Sequence, residues 1–221
     1  MIKYYILSHS SDAKIVGDYP QTEGTEIPDS NGDFREGSRA NLSNYEFPSN
    51  EPSLNLTLTN KAKLTDFVSP SDISARGVFV NEKTKNILQK FNILNHKFYS
   101  GSVKHQGSSH PFYWLHISND SLSGVDFNNS LFAEYDIIGD IEKSGIYLSS
   151  EDDFYVKNRE CDDMNTLEVE KLSLTPDFKE YDIFLIPHIH DYIIISVLVL
   201  NELEKAGLNG YKIRPADFII S

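Results

Sequence analysis

Hydrophobic and polar positions alternate strictly over Leu54–Leu58 (LNLTL), the pattern of a strand with one buried face. Short apolar runs bounded by turn formers predict further strands at 3–8 (KYYILS), 13–16 (AKIV) and 77–80 (GVFV). His96–Val103 and Phe112–Ile117 read as two strands joined by a Gly/Ser-rich turn. Weaker strands are predicted at 145–148, 154–157 and 166–174, and stronger ones at 182–186 and 192–195. Asn81 is placed to cap a helix, with Glu82 in its first turn, where a negative charge suits the helix dipole. Ile87, Leu88 and Phe91 fall on one side of that helix. Asn92 sits where a left-handed stop is expected, with Ile93 as its apolar companion.

The C-terminal part repeats this design. Placing Val80–Phe98 over Ile195–Ile213 aligns Asn81 with Ser196, Leu88 with Leu203, Asn92 with Gly207 and Ile93 with Leu208. The second helix opens with Val197-Leu198-Val199-Leu200, apolar all round, and is expected at the centre of the core. Residues 19–52 are rich in Pro, Gly, Ser, Asn and acid, which predicts a long irregular surface excursion, either mobile or functional. The expected fold is α+β, a single domain over 1–221: a largely antiparallel sheet of many short strands, with two principal helices in two similar strand–helix–strand units.

Composition narrows the function. Apolar residues are 39% of 221, enough for a sizeable core, so wholesale disorder is excluded. The chain holds 33 acidic and 20 basic side chains, a net charge of −13, which argues against nucleic acid and anionic lipid as partners and favours a basic protein. Residues 126–182 hold 16 Asp/Glu and 5 Lys/Arg, a net of −11, against −2 for the remainder. The charge is densest at Glu151, Asp152, Asp153, Glu160, Asp162 and Asp163. These six are the candidate contact residues for a cationic partner; a plain solvated face is the other reading. The single cysteine, Cys161, allows no internal disulfide, and the longest apolar stretch, Tyr192–Leu200, is too short to span a bilayer. A soluble, cytoplasmic protein is expected.

Catalytic signatures are missing from the sequence: it has no nucleophile elbow, no His-Glu-x-x-His, no phosphate-cradling loop and no dinucleotide fingerprint. Asp29-x-Asn31-x-Asp33 imitates a calcium loop but has Phe34 where glycine is required and Ala40 where glutamate is required. On a strand, His188 and His190 would point to one side and could share a metal, although the sequence nominates no further ligand; Pro187 and Asp191 equally suit a turn. Phe112, Trp114 and His116 read as one core face with a polar edge. Cys161 stands between Glu160 and Asp162, a poor setting for a nucleophilic thiolate. No cofactor is expected.

The ordered set of elements resembles the eleventh immunity-protein family of bacterial polymorphic toxin systems. The resemblance runs through Lys3-Tyr4-Tyr5-Ile6-Leu7, then Gly77-Val78-Phe79-Val80 entering the helix with Ile87-Leu88. It continues in Tyr113-x-Leu115-x-Ile117, Gly124-Val125-Asp126-Phe127 and Ser130. It closes on Asp182-Ile183-Phe184, Ile193-Ile194-Ile195-Ser196 and Gly207-Leu208-x-Gly210-Tyr211. It implies a cytosolic protein that binds and neutralises a cognate toxin without catalysis, and it carries over no catalytic residue. The alternatives are a metal-dependent hydrolase using His188 and His190, or a stand-alone interaction module.

Overall fold

The computed structural model of the chain describes residues 3–24, 38, 42–136, 138–161, 164–187 and 190–220. In chain order the first elements are β1 (Tyr4–His9), α1 (Ala13–Val16), β2 (Asn55–Thr57), β3 (Phe67–Val68), β4 (Gly77–Asn81) and α2 (Glu82–Leu88). There follow β5 (His96–His105), β6 (Ser108–Ile117), β7 (Leu131–Asp136), β8 (Ile141–Ile146), α3 (Glu151–Glu160) and β9 (Asn165–Ser173). The chain ends with β10 (Ile183–Ile186), β11 (His190–Ser196), α4 (Val197–Lys205), β12 (Tyr211–Pro215) and β13 (Ile219–Ile220). The class is α+β, with mostly antiparallel strands.

The strands form three sheets, in the orders β10-β11-β1-β12, β13-β9-β7-β8 and β2-β5-β6-β4-β3, rather than one. Two pairs are parallel, β2 with β5 and β13 with β9. All four residues of β10 are buried, as are Ile193, Ile194 and Ile195 of β11, so these strands are covered on both faces. One apolar interior joins the three sheets: Ile6 and Phe184 from the first, Phe132 and Val169 from the second, Val80 and Leu115 from the third, with Leu88 and Leu203 from the helices. In β4–α2–β5 the two strands run parallel on either side of β6; in β11–α4–β12 they run parallel on either side of β1.

A second, smaller apolar cluster lies on the other face of the five-stranded sheet and contains Phe79, Tyr99, Phe112 and Trp114. Its cover comes from the largely irregular chain over 42–75, through Leu42, Leu54, Leu56, Leu58 and Ala75. Buried Gln21 ties this cover down: its Nε2 donates to the Lys63 carbonyl (2.7 Å) and to Thr65 Oγ1 (2.9 Å), and its Oε1 accepts from the Ser69 amide (3.0 Å). Trp114 stacks on Tyr99 and on His116, and a side chain on Gly77 would meet its Nε1 at 2.1 Å.

Several expectations need correction. Residues 13–16 are helical, because the Asp12 carboxylate caps the Lys14 amide (2.8 Å). Residues 154–157 lie inside α3, the longest helix among the described residues, so the count of two principal helices misses one. Asn92 is not left-handed; its Nδ2 donates to the Glu180 carbonyl (2.9 Å), and the first unit lacks the stop that Gly207 (φ 64°) gives the second. In α4, Val199, Leu200 and Leu203 are buried but Leu198 is 60% exposed, so the helix is not surrounded by core. The strand placed at 145–148 is β8, which ends at Ile146. Over 42–52 the excursion is irregular, as expected, with Leu42 buried and the Ser43 carbonyl accepting from His116 Nε2 (2.8 Å). The imitation calcium loop at 29–33 lies outside the described residues.

Asp182 knots the two strand–helix–strand segments together. Its carboxylate accepts from the Ser196 hydroxyl (2.7 Å) at the start of α4 and from the Asn92 amide (3.2 Å) after α2. Its own amide donates to the Asn92 carbonyl (2.7 Å), and its carbonyl accepts from the Ser196 amide (2.8 Å). Replacing Asp182 with Ala should cost about 2 kcal/mol in urea unfolding, since two hydrogen bonds to a half-buried charge are lost. Ser196→Ala should cost less, and the double variant should fall short of the sum; strict additivity would separate the two residues energetically.

Candidate functional site

The acidic segment folds as one unit, the sheet β13-β9-β7-β8 with α3 packed on it, here called the acidic lobe. Its local structure follows from the sequence. The Ser150 hydroxyl accepts from the Asp153 amide (3.1 Å), while the Asp153 carboxylate accepts from both the amide (3.0 Å) and the hydroxyl of Ser149, closing the first turn of α3. These Ser149 hydrogen bonds hold the exposed Asp153 carboxyl below its ordinary pKa. Phe154 is fully buried against Phe132 (5.7 Å between centroids), and Asn158 Oδ1 accepts from the Leu167 amide (3.1 Å), locking the helix to the sheet.

The four candidate contact residues that are described are spread along α3. Glu151 is half-buried and works inside the fold, accepting from the Leu122 amide (3.2 Å) and the Tyr155 hydroxyl (3.3 Å). Asp153 caps α3, and Asp152 is exposed beside it. Glu160 stands at the far end of the helix, about 14 Å of rise away, paired with Lys157 at 3.1 Å. Asp162 and Asp163 lie outside the described residues. Of the carboxylates at the start of α3, Glu151 and Asp153 are tied into the fold, whereas Asp152 is exposed.

Other carboxylates line the sheet. Burial first, then Glu168 and Glu170, push the Tyr135 hydroxyl above its ordinary pKa. Asp136 Oδ1 accepts from the amides of Ile138 (3.0 Å) and Asp140 (2.8 Å), which shapes the turn between β7 and β8. Sequence reasoning missed the apolar part of this surface. Of the eleven large apolar side chains exposed among the described residues, six belong to the lobe: Ile138 (79%), Ile141 (54%), Tyr147 (75%), Val156, Met164 (62%) and Ile220 of β13. The signal was present in Ile138-Gly139-Asp140, where a branched apolar residue enters a turn.

His188 lies outside the described residues, and His190 opens β11. Among the described residues, no three His, Cys, Asp or Glu side chains gather as a metal would need. Phe112, Trp114 and His116 form the expected core face, but the expected polar edge is itself buried: His116 is fully enclosed, and burial is the main cause of its lowered pKa. A groove of about 330 Å³ runs beside Asp66, Asn81 and Asn209, yet Asp66 already accepts from Asn81 Nδ2 (2.7 Å) and the Asn209 amide (2.8 Å). Cys161 is half-buried, with its thiol against the Lys157 carbonyl (3.5 Å).

A second groove, of about 240 Å³, lies between β1, β4 and β11 and is lined by His9, Tyr19, Arg76 and Tyr192. His9 Nε2 is sealed from solvent and has no hydrogen-bond partner among the described residues; burial pushes its pKa down to about 4. No helix among the described residues is long and apolar enough to cross a membrane.

The chain matches no protein-family model, and no curated protein matches it.

The His9 imidazole has a predictable consequence. The unfolded chain takes up this proton near pH 6.5 and the folded one near 4, so its contribution to stability is complete above pH 6.5 and is lost as pH falls toward 4. The loss should reach about 3 kcal/mol. In denaturant unfolding followed from roughly pH 7.5 to 4.5, His9→Gln should lose less stability than the parent chain. Parallel curves would mean that His9 takes up its proton at the same pH in the folded and the unfolded chain.

Proposed function

We propose that this chain is an immunity-type protein that neutralises a cationic toxin by direct surface contact in the cytoplasm, without turnover. The observation that carries the reading is the acidic lobe itself, where a net charge of −11 over 126–182 coincides with exposed Ile138, Ile141, Tyr147 and Met164. Charge of one sign speeds encounter with a basic partner, and apolar and aromatic side chains beside it supply contact energy after encounter. The ordered resemblance to the eleventh immunity-protein family supports the same reading.

The scaffold fits this role. We read β4–α2–β5 and β11–α4–β12 as two versions of one unit, each enclosing an antiparallel strand between parallel ones and each burying a leucine, Leu88 or Leu203. The Asp182 knot holds the two together as a rigid platform from which the lobe projects its charge.

Co-expression with a cognate toxin, sought first in the neighbouring reading frames, should rescue growth, and the purified proteins should form a complex. Association should slow about tenfold or more between roughly 50 and 500 mM salt, with dissociation changing less. The combined variant Asp140→Asn, Glu142→Gln, Asp152→Asn should associate more slowly while keeping its thermal stability, since none of these three side chains has the structural role of Glu151 or Asp153. Failure to rescue removes the immunity reading; salt-insensitive association removes its electrostatic part.

A further inference from the structure

The edges of the three sheets are not alike. The β10 edge is buried, and β2, β3 and β13 have only three, two and two residues. The β12 edge carries Lys212 and Arg214 and ends on Pro215, a combination that discourages a further strand. The β8 edge differs: it is six residues long, and its first five, Ile141–Gly145, are exposed. Register shifts against β7 fall on both sides of the Glu134–Lys143 pair and Gly145 has a positive φ (69°), so the pairing is irregular along the strand; Lys143 is its one basic residue.

Apolar and acidic side chains gather at this edge. Tyr135 pairs with Ile141 and Asp136 with Asn165, so Ile138, Ile141 and Met164 share one end of the sheet. Asp140 and Glu142 are exposed among them, and Tyr147 follows just beyond the other end of β8.

We infer that β8 is the docking edge: an extended, basic segment of a partner protein adds to it as a fifth strand of the lobe sheet. Resting on the reading of the lobe as the contact surface, the inference names how contact is made. Main-chain hydrogen bonds along Ile141–Ser144 supply the geometry, Ile138, Ile141 and Tyr147 receive alternate apolar side chains, and Asp140 and Glu142 select lysine or arginine at the intervening positions. The acidic surround fixes the sign of the partner, which a bare apolar edge would leave open.

The test uses the full chain, labelled for NMR, and a terminally blocked peptide of about ten residues alternating valine and lysine, compared with the same peptide interrupted by two central prolines. Only the uninterrupted peptide should bind, and amide exchange over 141–144 should slow about tenfold or more on binding. Ile141→Ser should weaken that binding while the chain keeps its thermal stability, since Ile141 is 54% exposed. Binding with shifts on α3 and no added protection on β8 would overturn the edge and leave the lobe reading intact. If neither peptide binds anywhere on the lobe at low salt, the lobe reading falls with it. Concentration-dependent self-association that protects the same amides would make a second copy of the chain the occupant and would likewise overturn the proposal.

Discussion

Two strand–helix–strand segments, far apart in the chain, share one carboxylate. Asp182 accepts from the chain leaving α2 and from the residue that opens α4, while its own backbone bonds to the same two places. A single half-buried charge thereby fixes the relative position of two helices and the entry of β10, whose residues are fully buried. The apolar interior adds most of the favourable free energy, but burial is not directional. Hydrogen bonds to Asp182 decide which of many compact arrangements the apolar surfaces adopt.

From that frame the acidic lobe extends as a separate sheet sharing the same interior through Phe132, Phe154 and Val169. Its inner face is held by rings and its helix by a serine-aspartate cap, so its outer carboxylates are not required for folding in equal measure. Glu151 and Asp153 are tied into α3; Asp140, Glu142 and Asp152 face solvent. That division lets the surface be charged without making the fold depend on all of its charges.

Much of this was legible in the sequence. Strict alternation at Leu54–Leu58 gave buried Leu54, Leu56 and Leu58, and Asn81 caps the Thr84 amide at 2.9 Å as its position implied. What failed did so for physical reasons. Phe154-Tyr155-Val156 has the composition of a strand, and the Ser150 and Asp153 cap that makes it helical is a local hydrogen-bond pattern that outweighs β propensity. Asn92 was assigned a left-handed turn from its position alone, whereas a tertiary partner, Glu180, takes its side chain. The sign of the candidate surface could be read from residue counts, but its apolar edge could not, because which strand ends a sheet is decided by pairing between distant segments.

The chain over 42–75 lies across Trp114 with few regular elements of its own, anchored by Gln21 and by the Ser43 carbonyl on His116. Over 42–53 this roof contains no strand, so that part can lift without breaking a strand pair. Trp114 is the molecule's only indole, and it is 1% exposed beneath that roof. Its fluorescence therefore reports the lifting of the cover, and an unfolding curve recorded by it describes a different event from one recorded by the helices.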